Sequence, residues 1–526
     1  RALLEFKHQL LDDPHGVLSS WNHSEHHCQW QGITCDTQHQ RVTALTLAGK
    51  SLSGTLSPHI GNLSFMKSIQ LGANLFHGEI PQEIGRLFRL RFLNLSRNTF
   101  SGEIPVNLSH CSQITTISLS RNRLQGKIPV ELGNLKMLES LYLSTNYLTG
   151  EIPSSIGNLS SLISLYLVFN NLEGFLPKEI GWLTRLSELV ATTNQLSGTV
   201  PDSIYNISTM TNFLLGGNFF HGSIPTYIGL TFKTLQTLSL GKNNFFGRIP
   251  VSITNISGLN ALDLSDNKFE GQVPINIGDL SNLQFFNLGG NILGSNSTRD
   301  LIFISSLTNN SNLRTFAIDG NNFGGTIPKV LTNLSYQLTG LGMGANQLAG
   351  TIPEGFGNFF NLYAFDMSSN YLSGEIPSDF SKFKNLQFLG LNQNRLSGEI
   401  LYNLCNVTTL FHLDLSSNLF EGHNIVGNIL MNCQNLQELD ISQNKLSGVI
   451  PQLFFEMHAS LVYINIGNNT FTGSLPLEVG KLIHLVVFNI SYNMFSWEIP
   501  PSLADCLDLE HLRMEANFFH GMIPSK

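Results

Sequence analysis

Residues 141–153 read LYLSTNYLTGEIP, and this string decides the fold. Its leucines alternate with polar residues, the period of a strand with one buried face. An Asn follows three residues after the second Leu, then Leu148, Gly150 and the dipeptide Ile152-Pro153. The string returns as LNLSRNTFSGEIP at 93–105, LDLSDNKFEGQVP at 262–274 and FDMSSNYLSGEIP at 365–377. With the Asn as marker, the series starts at Lys50, which fills the place in the first copy, and runs through Asn74, Asn98 and Asn122 to Asn517. That makes twenty copies, nearly all 24 or 25 residues apart. A fixed step of this length predicts a solenoid, which grows by stacking rather than by adding domains.

Each template residue has a physical task. The marker amide bonds backbone groups of the neighbouring turn that no sheet ladder reaches. The Gly four positions later permits the turn. Sixteen of the nineteen prolines fall seven residues after the marker, where Ile-Pro forces an extended backbone.

Residues 1–41 lack the repeat. ALLEFKHQLL has helical apolar spacing and ends before Asp12-Asp13-Pro14, a turn signal. Cys28 and Cys35, seven apart, read as a local disulfide, and the segment as a cap over the first repeat. His26 and His27 beside Cys28 fit no usual zinc spacing, so no metal is expected. The solenoid is expected over residues 42–526.

Charged residues make up 13% of the chain and the formal net charge is −8, which argues against nucleic acid or an anionic membrane as partner. No run approaches the ~20 apolar residues of a membrane span. The chain begins at Arg1, not Met, and reads as a piece of a longer protein. Thirteen Asn-x-Ser/Thr sequons point to the secretory route: Asn22, Asn62, Asn94, Asn107, Asn158, Asn206, Asn255, Asn296, Asn309, Asn333, Asn406, Asn468 and Asn489. Glycans on Asn94 and Asn489 would block the two ends of the inner face. Of the remaining cysteines, Cys111, Cys433 and Cys506 occupy an apolar slot eleven residues before the marker. They and Cys405 are expected as buried free thiols, with a Cys405–Cys433 bridge as the alternative.

The pattern LxxLxLxxNxLxGxIPxxLGxL resembles the plant extracellular leucine-rich repeat over nearly the whole chain, and CQWQGITC resembles the N-terminal cap of plant leucine-rich-repeat receptor kinases. The step from Asn291 to Asn321 is 30 residues. Its extra GSNSTRD at 294–300 resembles the receptor-kinase subfamily of the flagellin, elongation-factor-Tu and cold-shock-protein receptors and of the rice Xanthomonas-resistance receptor. The resemblance implies an α/β leucine-rich-repeat solenoid, a right-handed superhelix with a parallel concave sheet. It also implies an ectodomain outside the plasma membrane that senses a bacterial protein epitope. A membrane span and a cytoplasmic kinase would follow, and a somatic-embryogenesis-type co-receptor kinase would be recruited. The alternatives are a receptor-like protein without a kinase and an inhibitor of pectin-degrading enzymes.

Departures are Leu401 and Ile425 in place of the proline, Trp497 in place of the turn Gly, and Ala191 in place of the second strand Leu. The chain stops at Lys526 without a C-terminal cysteine pair, so a C-terminal cap is expected to be missing.

No phosphate loop, kinase signature, GxSxG or HExxH is present, so catalysis and a cofactor are not expected of this chain. The residue four before each marker points to solvent on the concave side. In that column Tyr142, Tyr166, Val190 and Leu214 are four consecutive apolar residues, joined by Val168 and Phe169, and read as a partner site. An acidic run, Asp263, Asp266, Asp319, Asp366, Asp414, Glu438 and Asp440, would steer a basic ligand segment. His511, Arg513 and Phe519 in the last repeats are candidate co-receptor contacts. No Arg-x-Arg pair occupies the late concave strands; Arg121 and Arg123 lie early and off the column.

Overall fold

A computed structural model of the chain describes residues 1–22, 24–400, 404, 409–423, 433 and 435–523. The expectations at Leu401, Cys405, Asn406, Ile425 and the 524–526 end lie outside the described residues. The chain forms two compact units, Arg1–Asn267 and Lys268–Lys526, each a stack of the predicted coils.

One coil shows how the string folds. Ser140–Tyr142 is the inner strand, paired in parallel with Ser164–Tyr166 so that Leu141 faces Leu165 and Tyr142 faces Tyr166. After the marker, Tyr147–Gly150 forms a second strand in a lateral sheet. Pro153 then caps the 3-10 helix Ser154–Asn158, which carries the chain back. Leu141, Leu143, Leu148, Ile152, Ile156, Leu159 and Leu162 are all buried inside the coil. Among the described residues α-helix is confined to short pieces such as Ala2–His8, Asp202–Tyr205 and Gln452–Met457. A five-residue return limb is too short to offset α-helix nucleation, and the 3-10 form covers more distance per residue. The limb also needs its Gly: a Cβ on Gly157 would lie 2.4 Å from the carbonyl oxygen of Glu179 in the next coil.

The marker Asn does more than satisfy one turn. Asn243 Nδ2 donates to Leu240 O in its own coil (3.0 Å) and to Leu215 O in the preceding coil (3.1 Å), while Oδ1 accepts from Phe220 N (2.9 Å). Each buried marker therefore bonds two successive coils together. In the second unit Asn370 repeats the scheme with Met343 O, Met367 O and Leu348 N.

Residues 1–41 pack onto the first repeats. Cys28 and Cys35 are bridged. Ile33–Cys35 pairs antiparallel with Val42–Thr46, the first inner strand. Trp21 stacks on Trp30 (5.4 Å) and lies beside Phe6, whose other neighbour is Phe76 of the second repeat. The cap's aromatic core thus continues the repeat's own column of Phe and Leu. His26, His27 and Cys28 bring three donor atoms within 4.8 Å of one another, but the Cys28 sulfur is used in the disulfide, leaving two imidazoles. Those residues do not fit a structural zinc.

Cys111 and Cys506 are buried free thiols, pushed up by burial to about 12 and about 11. Cys433 corrects the expectation of a free thiol, because its sulfur is in a disulfide. The insertion at 294–300 is ordered by Asp300. Its buried carboxylate accepts from Ser295 N, Ser297 N and Gly324 N at 3.0, 2.9 and 3.0 Å.

Asn243→Ala strands Phe220 N in a dry interior and takes one of two donors from Leu215 O and Leu240 O, which keep Asn218 Nδ2 and Asn267 Nδ2. At about 1–3 kcal/mol for an orphaned group, roughly that much local stability should be lost. Hydrogen exchange should accelerate at Phe220 and its neighbours, while Thr149→Ala on the exposed lateral strand leaves exchange unchanged.

Candidate functional site

Alternation along each inner strand puts the residues six and four before the marker on one face. In the first unit Tyr142, Tyr166, Val190 and Leu214 are direct cross-strand partners, so the apolar column is continuous in space. The Tyr142 and Tyr166 rings lie 5.2 Å apart at 50°. Both are half-buried, as are Val168 and Leu214. Val190 corrects the expectation: it is 6% exposed and belongs to the core. Its short side chain sits between two larger in-register neighbours, Tyr166 and Leu214, which cover it.

Phe169 is 58% exposed and has φ of 53°. The position before the marker is left-handed in many coils, where Thr145, Thr193 and Gly217 also stand. The left-handed region costs an L-residue about 1–2 kcal/mol, and a bulky side chain there is uncommon. An exposed ring held on unfavourable backbone marks a candidate contact.

Sequence reasoning missed Glu188. Its carboxylate accepts from Ser164 Oγ (2.6 Å) and Asn212 Nδ2 (3.2 Å), and also from the Tyr166 hydroxyl. Burial, and then the Glu188 charge, push the Tyr166 phenol up to about 12. Period-2 alternation from the Tyr column would have found it, since Glu188 lies two residues before Val190. Next to the two tyrosines is a depression of about 320 Å³ lined by Ser96, Arg97, Ser118, Ser120, Arg121 and Ser144.

The acidic run has an internal task. Asp414 Oδ1 accepts from Ser416 N and Oγ (2.9 and 2.7 Å), and Asp440 Oδ1 from Ser442 N and Oγ (3.0 and 2.6 Å). Asp263 with Ser265 and Asp366 with Ser368 follow the same Asp-x-Ser geometry. Asn94 and Asn489 use it too, so these sequon side chains close the ends of their own strands. Asp266 is exposed, and Asp319 is half-buried. Burial raises the Asp414 carboxyl above its usual range. Nearby, His412 stacks on Phe388 and pairs with Glu438 at 2.5 Å.

His511 and Arg513 lie on the last described inner strand, where the template Leu512 is exposed as well, so exposure does not single them out. Phe519 is different: its ring stacks on Phe495 (6.2 Å) in the core column of Phe and Leu, which makes it a packing residue. Asn62, Asn158, Asn206, Asn255, Asn296, Asn309, Asn333 and Asn468 are exposed; Asn22 and Asn107 are half-buried.

Comparison with known proteins agrees with this architecture. Residues 1–36 match the leucine-rich-repeat N-terminal domain family. Residues 89–111, 113–135, 137–159, 258–280, 361–383, 435–457 and 484–506 match the Leucine Rich Repeat family. The LRR receptor-like serine/threonine-protein kinase EFR of Arabidopsis thaliana is 48% identical over 77 residues, 14% of this chain and 8% of that protein. The rice receptor kinase-like protein Xa21 is 43% identical over 79 residues, with the same two shares. Each alignment therefore spans under a tenth of these curated relatives. Among solved structures, the plant peptide hormone receptor RGFR1 in complex with RGF2 is 31% identical with a TM-score of 0.72, covering 94% of this chain and 84% of that one. The Arabidopsis receptor kinase HAESA, in complex with the peptide hormone IDA and the co-receptor SERK1, is 29% identical with a TM-score of 0.75, covering 99% and 94%.

The Tyr166 phenol, normally near 10, keeps its proton to about 12 in the fold. Its contribution to stability is therefore complete below pH 10 and lost as pH rises through 12. Tyr166→Phe should remove one late step from the tyrosinate absorbance titration of the folded protein. Stability of the variant should fall less steeply over that window in denaturant titrations.

Proposed function

As a member of the plant leucine-rich-repeat receptor ectodomains, this chain serves, we propose, as a peptide sensor whose first unit holds an extended ligand along Tyr142, Tyr166, Phe169, Val168 and Leu214. The observation that carries this reading is the in-register Tyr142–Tyr166 pair beside an exposed, left-handed Phe169. With strands ~4.8 Å apart, four rows span roughly 15 Å, enough for four or five extended residues. Solved relatives with peptide hormones bound support the ligand class.

The ligand's source on this reading is a bacterial protein, the chain acting in immune signalling at the outer face of the plasma membrane. Support comes from the insertion at 294–300 and from the likeness to EFR and Xa21. Exposed sequons such as Asn158 and Asn255 would carry glycans in that compartment. A kinase beyond the ectodomain would transmit the signal. His511 and Arg513 are where a co-receptor would dock, by analogy with the HAESA complex, which contains SERK1. Within the second unit, Asp366, Asp414 and Asp440 would add a field favourable to basic ligand residues, on top of their strand-closing bonds.

The test is a calorimetric screen of bacterial epitope peptides and plant peptide hormones against the ectodomain. Tyr142→Ala and Tyr166→Ala should each weaken the best binder about tenfold, the loss of roughly 1.4 kcal/mol. Phe169→Gly should weaken binding similarly while leaving Tm unchanged or raised, because Gly relieves the left-handed backbone. Unchanged affinity in all three variants would sink the reading, and a hormone as best binder would overturn the bacterial source.

A further inference from the structure

The depression beside Tyr142 and Tyr166 has a chemistry of its own. Arg97 and Arg121 stand in adjacent coils, both exposed and both left-handed, with φ of 54° and 57°. Among the described residues neither guanidinium has an ion-pair partner. The serines between them are set to donate. Ser120 Oγ accepts Ser144 N (3.1 Å) and Ser144 Oγ accepts Val168 N (3.2 Å), so each hydroxyl has a lone pair engaged by backbone and its own proton still available. The inner strands here read SIQLGA, FLNLSR, TISLSR and SLYLST from residues 68, 92, 116 and 140, without a single acid. In the same unit the strand at 261–266 reads ALDLSD, with two acids. The rows before Tyr142 are thus cationic and hydroxyl-lined, and the apolar stripe follows directly.

We propose that this depression captures an acidic side chain of the peptide, its carboxylate held by Arg97 and Arg121 and by the hydroxyls of Ser120 and Ser144. The inference rests on the peptide reading above and adds a polarity to it: the ligand carries an acid just before or after its apolar segment. Charge complementarity selects this occupant, because guanidinium forks match carboxylates and a basic segment would meet two unpaired cations. The Tyr142 and Tyr166 rings line the same depression. Both arginines occupy backbone that disfavours long side chains, as Phe169 does one and two coils further on from Thr145 and Arg121.

The experiment is selection from a synthetic library of C-terminally amidated decapeptides on the immobilised ectodomain. It is run in parallel on wild type, Arg97→Gln/Arg121→Gln, and Tyr142→Ala/Tyr166→Ala. Wild type should enrich Asp or Glu beside an apolar run. The arginine double variant should lose the acid preference while keeping the apolar one, with about a tenfold drop in affinity for the selected peptide at low salt. That affinity should weaken with added salt in wild type and much less in the variant. A matched free-acid library separates the sources, since enrichment only there would assign the carboxylate to a chain terminus and overturn the side-chain assignment. Apolar enrichment without acid preference, or acid preference that survives in the arginine variant, overturns the inference and leaves the stripe standing. No enrichment of any peptide overturns both.

Discussion

Everything in this molecule depends on the buried marker amide. A strand of three residues cannot satisfy the turn that follows it, and a stack of such strands leaves a row of carbonyls facing inward. Each Asn closes that account twice, as Asn146 does by donating to Leu119 O in the preceding coil and Leu143 O in its own while accepting from Leu124 N. Removing water from these groups makes their partners obligatory. The residue type follows: Asp lacks the donor, and Gln would displace the amide by a methylene.

The same bond explains the left-handed residue before it. To aim its amide inward at two coils, the marker needs a sharp backbone reversal, and that reversal falls on the preceding residue. The cost is general to the repeat, and Ser369, Ser417 or Gly217 meet it with small side chains. In the first unit Arg97, Arg121, Phe169 and Lys242 do not. Neither packing nor hydrogen bonding in the coil calls for their bulk.

Fold was legible in the string because its determinants are local and repeated. Leu spacing, Asn, Gly and Pro each recur in register, and the structure uses them as read. The surface was less legible because exposure depends on neighbours two dozen residues away. Val190 shares its alternation phase with Tyr166, yet lies under it and Leu214. Phe519 stands two residues after its marker, the place of Leu148 in the template, so its core role was legible in the register, and its stacking on Phe495 agrees. The Asp column misled in another way, since Asp-x-Ser is a strand-closing device that Asn94 and Asn489 perform without charge. Cys433 shows a further limit, for a disulfide is set by spatial approach, which spacing in sequence does not give.

Recognition in such a scaffold is a matter of what the scaffold leaves undetermined. The Leu, Asn, Gly and Pro positions are committed to holding coils together, and Asp-x-Ser to closing strands. Free choice remains at the two outward positions of each inner strand and at the left-handed residue beside the marker. In the first unit two of those columns change over the same coils: the position four before the marker goes from Asn94 and Ser118 to Tyr142 and Tyr166, and the left-handed position from Arg97 and Arg121 to Thr145 and Phe169, while the position six before stays polar at Thr116, Ser140, Ser164 and Glu188. A change confined to one column would be drift on a tolerant surface. A concerted change across two, one of them indifferent to folding and one opposed to bulk, is what a ligand with an ordered sequence of chemistries would select.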